Sequence, residues 1–138
     1  MRTIENANNQ SKIGGINEMN QPQRPINLHD NYHAHVYFDQ TTVEFAAKLC
    51  EKAGDLFNLK IGRVHQKLVG PHPCWSCQIL FASNDFEQLI PWLEESRQGL
   101  SKFVHPLTGN DLDDHTKYAC WLGDECQLKV DMFRRKAL

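Results

Sequence analysis

Tyr32-His33-Ala34-His35-Val36-Tyr37-Phe38 reads as a β-strand, because Ala34, Val36 and Phe38 alternate with His33, His35 and Tyr37 and successive strand side chains point to opposite faces. One face of that strand is apolar and the other carries imidazoles. Downstream, Thr41-Thr42-Val43-Glu44 has the capping-box form, and Phe45, Leu49, Ala53 and Leu56 recur at helical spacing to about Phe57. Leu59 to Val69 reads as a second strand, ended by the turn Gly70-Pro71-His72-Pro73, whose prolines are excluded from a sheet interior. Ser76 to Ala82 is a third strand. Asn84-Asp85-Phe86-Glu87 opens a second helix with Phe86, Leu89, Ile90 and Leu93 on one face and a kink expected at Pro91. Leu100 to His105 forms a fourth strand stopped by Pro106. A short helix from Asp111 or Leu112 to Leu122, ended by Gly123, and a last strand over Gln127 to Phe133 complete the reading.

The order β-α-β-β-α-β is the ferredoxin-like split arrangement, an α+β fold with an antiparallel sheet, two helices on one face and short C-terminal additions. The chain has 138 residues, enough for one domain with its own core. Residues 1–28, rich in Asn, Gln, Ser and Gly, read as a flexible extension, and residues 29–138 as the folded domain. With 15 Lys+Arg against 17 Asp+Glu there is no basic stripe for nucleic acid, and Arg134-Arg135-Lys136 reads as a solvated tail. No apolar run spans a bilayer and no secretory leader pattern is evident, so a soluble cytoplasmic protein is expected. The five cysteines are odd in number and read as small buried residues, not as a disulfide scaffold.

Seven histidines stand out, and topology gives four of them meaning. With the first and third strands taken as parallel neighbours and the fourth antiparallel beside the first, three points share one end of the sheet. These are the start of the first strand, the turn before the third and the end of the fourth. His33 and His35, His72, and His105 then converge on the face away from the helices. That face needs a cover, either a second subunit or the chain after Pro106, which carries Asp114-His115. Singly, each histidine reads as an ordinary polar surface residue. Together they suit Fe, Zn, Cu or Ni, which neutral imidazole binds well. His29, in the extension, and His65, mid-strand, gain nothing from this convergence.

Other motifs carry less. Cys74-Trp75-Ser76-Cys77 lacks the following helix that lowers a redox thiol's pKa, and no second pair completes a zinc site. Arg63 and His65 would share a strand face on which Arg63 could clamp a carboxylate, although a solvated edge with Lys60 and Lys67 reads equally well.

The stretch Tyr32 to Phe38, Gly70-Pro71-His72-Pro73 with Gln78 following, Val104-His105-Pro106-Leu107-Thr108-Gly109, and Asp114-His115 through Trp121-Leu122-Gly123 together resemble the DOPA 4,5-dioxygenase family over about residues 30–133. The resemblance implies extradiol cleavage of a DOPA-like catechol by O2 at non-haem Fe(II), in a small ferredoxin-like protein that forms a homodimer. On that basis His35, His72 and His105 are expected as metal ligands, His33 and His115 as catalytic acid/base, and Tyr37, Arg63 and Gln78 as substrate contacts. Asp30 and Asp114 are the only nearby carboxylates for a two-His-one-carboxylate site. An all-histidine site also suits Zn2+, as the occupant after purification. Two alternatives stand beside this one: a non-catalytic dimeric metal- or ligand-binding module, and a zinc-dependent hydrolase.

Overall fold

The computed structural model describes residues 21–137. In chain order the elements are β1 (Asn31–Phe38), α1 (Val43–Phe57), β2 (Lys60–Ile61), β3 (Trp75–Ala82), α2 (Ser83–Glu95), β4 (Lys102–Pro106), α3 (Asp111–Asp114), β5 (Cys120–Leu122) and α4 (Asp131–Ala137). The sheet order is β2-β3-β1-β4-β5 and every neighbouring pair is antiparallel. The first four strands with α1 and α2 make the expected ferredoxin-like split fold.

Ala34, Val36 and Phe38 of β1 pack with Cys77, Ile79 and Phe81 of β3 against Ala46, Leu49 and Ala53 of α1 and Leu89 and Leu93 of α2. The β1 alternation therefore resolves as read: apolar side chains go under the helices, and His33, His35 and Tyr37 go to the open face. A second, smaller cluster of Tyr37, Phe103 and Trp121 lies on that open face.

One topological expectation is corrected. β1 and β3 are antiparallel, with Asn31 opposite Ala82 and Phe38 opposite Trp75. A βαβ crossover makes β1 parallel to β2, so β3 lying between them runs the other way. The turn before β3 therefore starts at the end of the sheet away from His33 and His105. His72 reaches the imidazoles only because that turn folds back over the open face.

Several element boundaries also differ. The second strand is limited to Lys60–Ile61, because a β-bulge interrupts it. Gly62 donates to the Gln78 carbonyl and His65 pairs with Ser76, so Arg63 and Val64 together stand opposite the single residue Cys77. The α1 cap is an Asp39 turn, whose carboxylate accepts from the Thr41 amide and from the Thr41 and Thr42 hydroxyls, not a Thr-Glu box. α2 begins one residue before Asn84, the Asp85 carboxylate accepting from the Ala82 amide, and it continues through Pro91 to Glu95. The helix expected up to Leu122 stops at Asp114, and Cys120–Leu122 instead extends the sheet beside β4. The expected last strand is replaced by α4, entered where the Val130 carbonyl accepts from the Phe133 amide.

Of the expected extension, residues 1–20 lie outside the described residues. Gln23 and Arg24 lie beside β5: the Trp121 amide donates to the Gln23 carbonyl, and the Arg24 guanidinium donates to the Trp121 and Gly123 carbonyls. Among the described residues, no helix is long and apolar enough to cross a membrane.

Lys102 is the anomaly of the helix-side core, fully buried with its ammonium donating to the Leu93 carbonyl at the end of α2. Burial pulls it down from 10.5 to about 7. Between those values the unfolded chain holds a proton that the folded one does not, so stability rises with pH across the window from 7 to 10.5. Lys102→Met should therefore be more stable than the parent by about 1–3 kcal/mol below pH 7, the lost hydrogen bond offsetting part of the gain. That advantage should shrink as pH approaches 10, as urea titrations at a series of pH values would read.

Candidate metal centre

Register places the imidazoles. His33 stands directly opposite His105 across the β1–β4 ladder, and His35 stands opposite Phe103, so all four side chains share the open face. His35 is also opposite Gln78 of β3. The Nε2 atoms of His35 and His105 lie 3.1 Å apart, with the rings stacked at 5.2 Å and 14°. His33 meets both rings edge-on, at 5.6 and 5.3 Å between centroids. One ligand atom from each of His33, His35 and His105 falls within 4.8 Å of the other two.

That donor set fits a metal ion. Two nitrogens bonded to one ion at about 2.1 Å are separated by roughly 3.0–3.4 Å between right-angle and tetrahedral geometry, which brackets the His35–His105 spacing. The tautomer is right as well. His105 Nδ1 lies 2.8 Å from the Pro106 carbonyl, which can only accept, so Nδ1 carries the hydrogen and Nε2 presents its lone pair. No carboxylate belongs to the trio. Both oxygens of buried Asp114 are occupied by Thr108, through its hydroxyl at 2.6 Å and its amide at 3.1 Å, and Asp30 is solvent-exposed.

His72 and His115 flank the trio. The His72 ring is 4.2 Å from that of His35, and its Nδ1 is 2.7 Å from the Tyr37 hydroxyl. Tyr37 is buried and its phenol is pushed far up by desolvation, so it stays protonated. His115 lies 4.4 Å from the His105 ring and is backed by Phe133 of α4 at 4.4 Å. Its Nδ1 donates to the Asp111 carbonyl, 2.7 Å away, leaving Nε2 free. The chain after Pro106 thus supplies a cover for the open face.

Burial keeps His33, His35, His72 and His105 neutral. Desolvation first, and mutual repulsion second, lower His33, lower His35 far below 6.5, and bring His72 to about 4. In His105 desolvation is opposed by the Pro106 hydrogen bond, and the ring still falls to about 3. Neutral imidazole is the metal-binding form, so the cluster is ready to bind a metal at neutral pH.

A cavity of about 130 Å³ adjoins the centre, lined by His35, His65, His72, Ser76 and Gln78 with Val69 and Gly70. The structure thus brings Tyr37 and Gln78 to the histidines, but not Arg63, which is exposed at the bulge and lines no part of that cavity. His65 is the residue that sequence reasoning passed over. The bulge turns it onto the open face beside Ser76, and the Gly62 in its strand is the one local signal of such an interruption.

The Dopa 4,5-dioxygenase family profile matches residues 32–132, and this chain belongs to that family. An uncharacterised protein of Botryotinia fuckeliana is 35% identical over 116 residues, covering 75% of this chain and 63% of the relative. A DOPA 4,5-dioxygenase of Amanita muscaria is 32% identical over 108 residues, covering 72% of this chain and 47% of the relative. The chain therefore spans less than two thirds of either fungal relative. A crystal structure of a candidate dioxygenase from Nostoc punctiforme superposes with a TM-score of 0.74 at 39% identity, covering 80% of this chain and 95% of that one.

The unfolded chain takes up protons on its histidines as pH falls through 6.5, whereas folded His72 and His105 resist to about 4 and about 3. Stability present above pH 6.5 is therefore lost progressively across that window. The Tm of metal-free protein should fall steadily between pH 6.5 and 4, and His105→Leu should flatten the slope. An unchanged slope in that variant would deny His105 its buried neutral state.

Proposed function

We propose that this chain is a non-haem Fe(II) dioxygenase that opens a catechol ring by extradiol cleavage, with the metal held by His33, His35 and His105. The observation that carries the proposal is the 4.8 Å grouping of three imidazole ligand atoms on β1 and β4. Membership of the Dopa 4,5-dioxygenase family and the name of the Amanita muscaria relative support the choice of a catechol and O2. The trio keeps His35 and His105 from the sequence-based ligand set and takes His33 in place of His72.

Iron bound there would supply the redox chemistry that lets a catecholate react with O2, and three protein ligands leave positions open for both. The residues around it do the rest. His72, tied to the protonated Tyr37 hydroxyl, is the group we assign to taking a catechol proton and returning it later. Its position against the His35 ring puts it on the cavity side of the trio. His115 closes the opposite side, and with Phe133 behind it excludes water from the His105 edge. Gln78 and His65 line the cavity as neutral hydrogen-bonding groups for the substrate's substituents.

Metal-free protein loaded anaerobically with Fe(II) should consume one O2 per catechol and yield a yellow ring-opened product. Turnover of an ester or amide without O2 uptake would point instead to a zinc-type hydrolase. His33→Ala, His35→Ala and His105→Ala should each lose iron on desalting, whereas His72→Ala should keep iron and slow turnover by about 10²–10⁴-fold. Iron retained by His33→Ala and lost by His72→Ala would restore the sequence-based ligand set.

A further inference from the structure

Five thiols are distributed very unequally between the two faces of the sheet. Cys50 and Cys77 touch each other inside the helix-side core, at 1% and 0% exposure. Cys120 also packs against that core and accepts a hydrogen bond from Gln23. Cys74 and Cys126 instead lie on the open face, both partly exposed and both packed on the Tyr37, Phe103 and Trp121 cluster. The two halves of the Cys74-Cys77 motif thus lie on opposite sides of the sheet and cannot pair with each other.

Cys74 ends the turn that carries His72, and Cys126 lies between β5 and α4. Both side chains pack on that one cluster, and Cys126 is close enough to raise the Cys74 thiol above its ordinary value. The backbones are also tied: the Lys129 amide donates to the Pro71 carbonyl at 2.9 Å. Pro71 stands three residues before Cys74 and Lys129 three residues after Cys126, so the two cysteines occupy matching positions on either side of that bond. A disulfide needs the two Cβ atoms about 3.8 Å apart, an approach that matching positions on two tied segments favour.

We propose that Cys74 and Cys126 are a reversible disulfide pair that staples the His72 turn to the segment before α4. The oxidant is a low-molecular-weight disulfide. One protein thiolate attacks it, releasing one small thiol and forming a mixed disulfide; the second protein thiolate then displaces the other small thiol and forms the Cys74–Cys126 bond. Two protein thiols are oxidised and one disulfide is reduced to two thiols, with the two protons passing to the released thiolates. Because Tyr37 lies beneath both cysteines and bonds His72, the staple restrains the residue that flanks the metal trio. The proposal needs no particular ligand set or substrate, and its outcome is separate from theirs.

The test is incubation of the full iron-loaded chain with oxidised glutathione, followed by thiol titration in denaturant and non-reducing peptide mapping. Two of the five thiols should disappear, and a peptide linking Cys74 to Cys126 should form within one chain. The Tm should rise by roughly 5–15 °C and return on adding dithiothreitol. Exchange of the Lys129 amide should slow in the oxidised form. Cys126→Ser should show neither the link nor the Tm shift, and the parent chain's peptide map decides the matter if that variant fails to fold. Five reactive thiols after oxidation, a bond mapped to Cys50–Cys77, or only glutathione adducts or chain-to-chain links would overturn the proposal.

Discussion

The pairing of His33 with His105 across β1 and β4 is the constraint from which the rest of the molecule follows. It is enforced from the other side of the sheet. The same register sets Ala34 against Val104, and both are sealed beneath the helices with exposures of 0% and 1%. A slip of one residue would turn the imidazoles into the core and the core into water. Hydrophobic burial on one face therefore holds the imidazole geometry on the other, although neither face touches the other directly. The burial that brings the rings together also strips them of protons, which turns a cluster of bases into a set of lone pairs.

Much of this was legible in the sequence, because strand alternation is a local rule. Tyr32 to Phe38 alone assigns its histidines to the face away from the helices, and the helical spacing from Phe45 to Leu56 supplies those helices. The structure agrees on both points. The position of His105 near the close of a strand is similarly local, since β4 ends on Pro106, which has no amide to carry the ladder further.

What was not legible depends on contacts distant in sequence. His72 reaches His35 by the folding back of a turn that begins at the far end of the sheet, and nothing in Gly70-Pro71-His72-Pro73 encodes that direction. The bonds that hold the turn come from Tyr37, 35 residues before His72, and from Lys129, 58 residues after Pro71. The bulge at Arg63 and Val64 shifts His65 by one position onto the open face and leaves Arg63 in solvent, so an unbroken period of two misassigned both. At the C-terminus, Leu128, Val130 and Met132 alternate like a strand. The Lys129 amide instead bonds the Pro71 carbonyl of the turn, and Phe133 packs onto His115 from the short helix α4.

The most direct test of the account is the position of the ion. Crystals of the Fe(II)-loaded protein, measured on both sides of the iron absorption edge, should give one anomalous peak on the open face about 2.1 Å from a ring nitrogen of each of His33, His35 and His105. A peak held by other side chains, or no peak in protein that still consumes O2 with catechol, would contradict the claim that this cross-strand register builds the reactive centre.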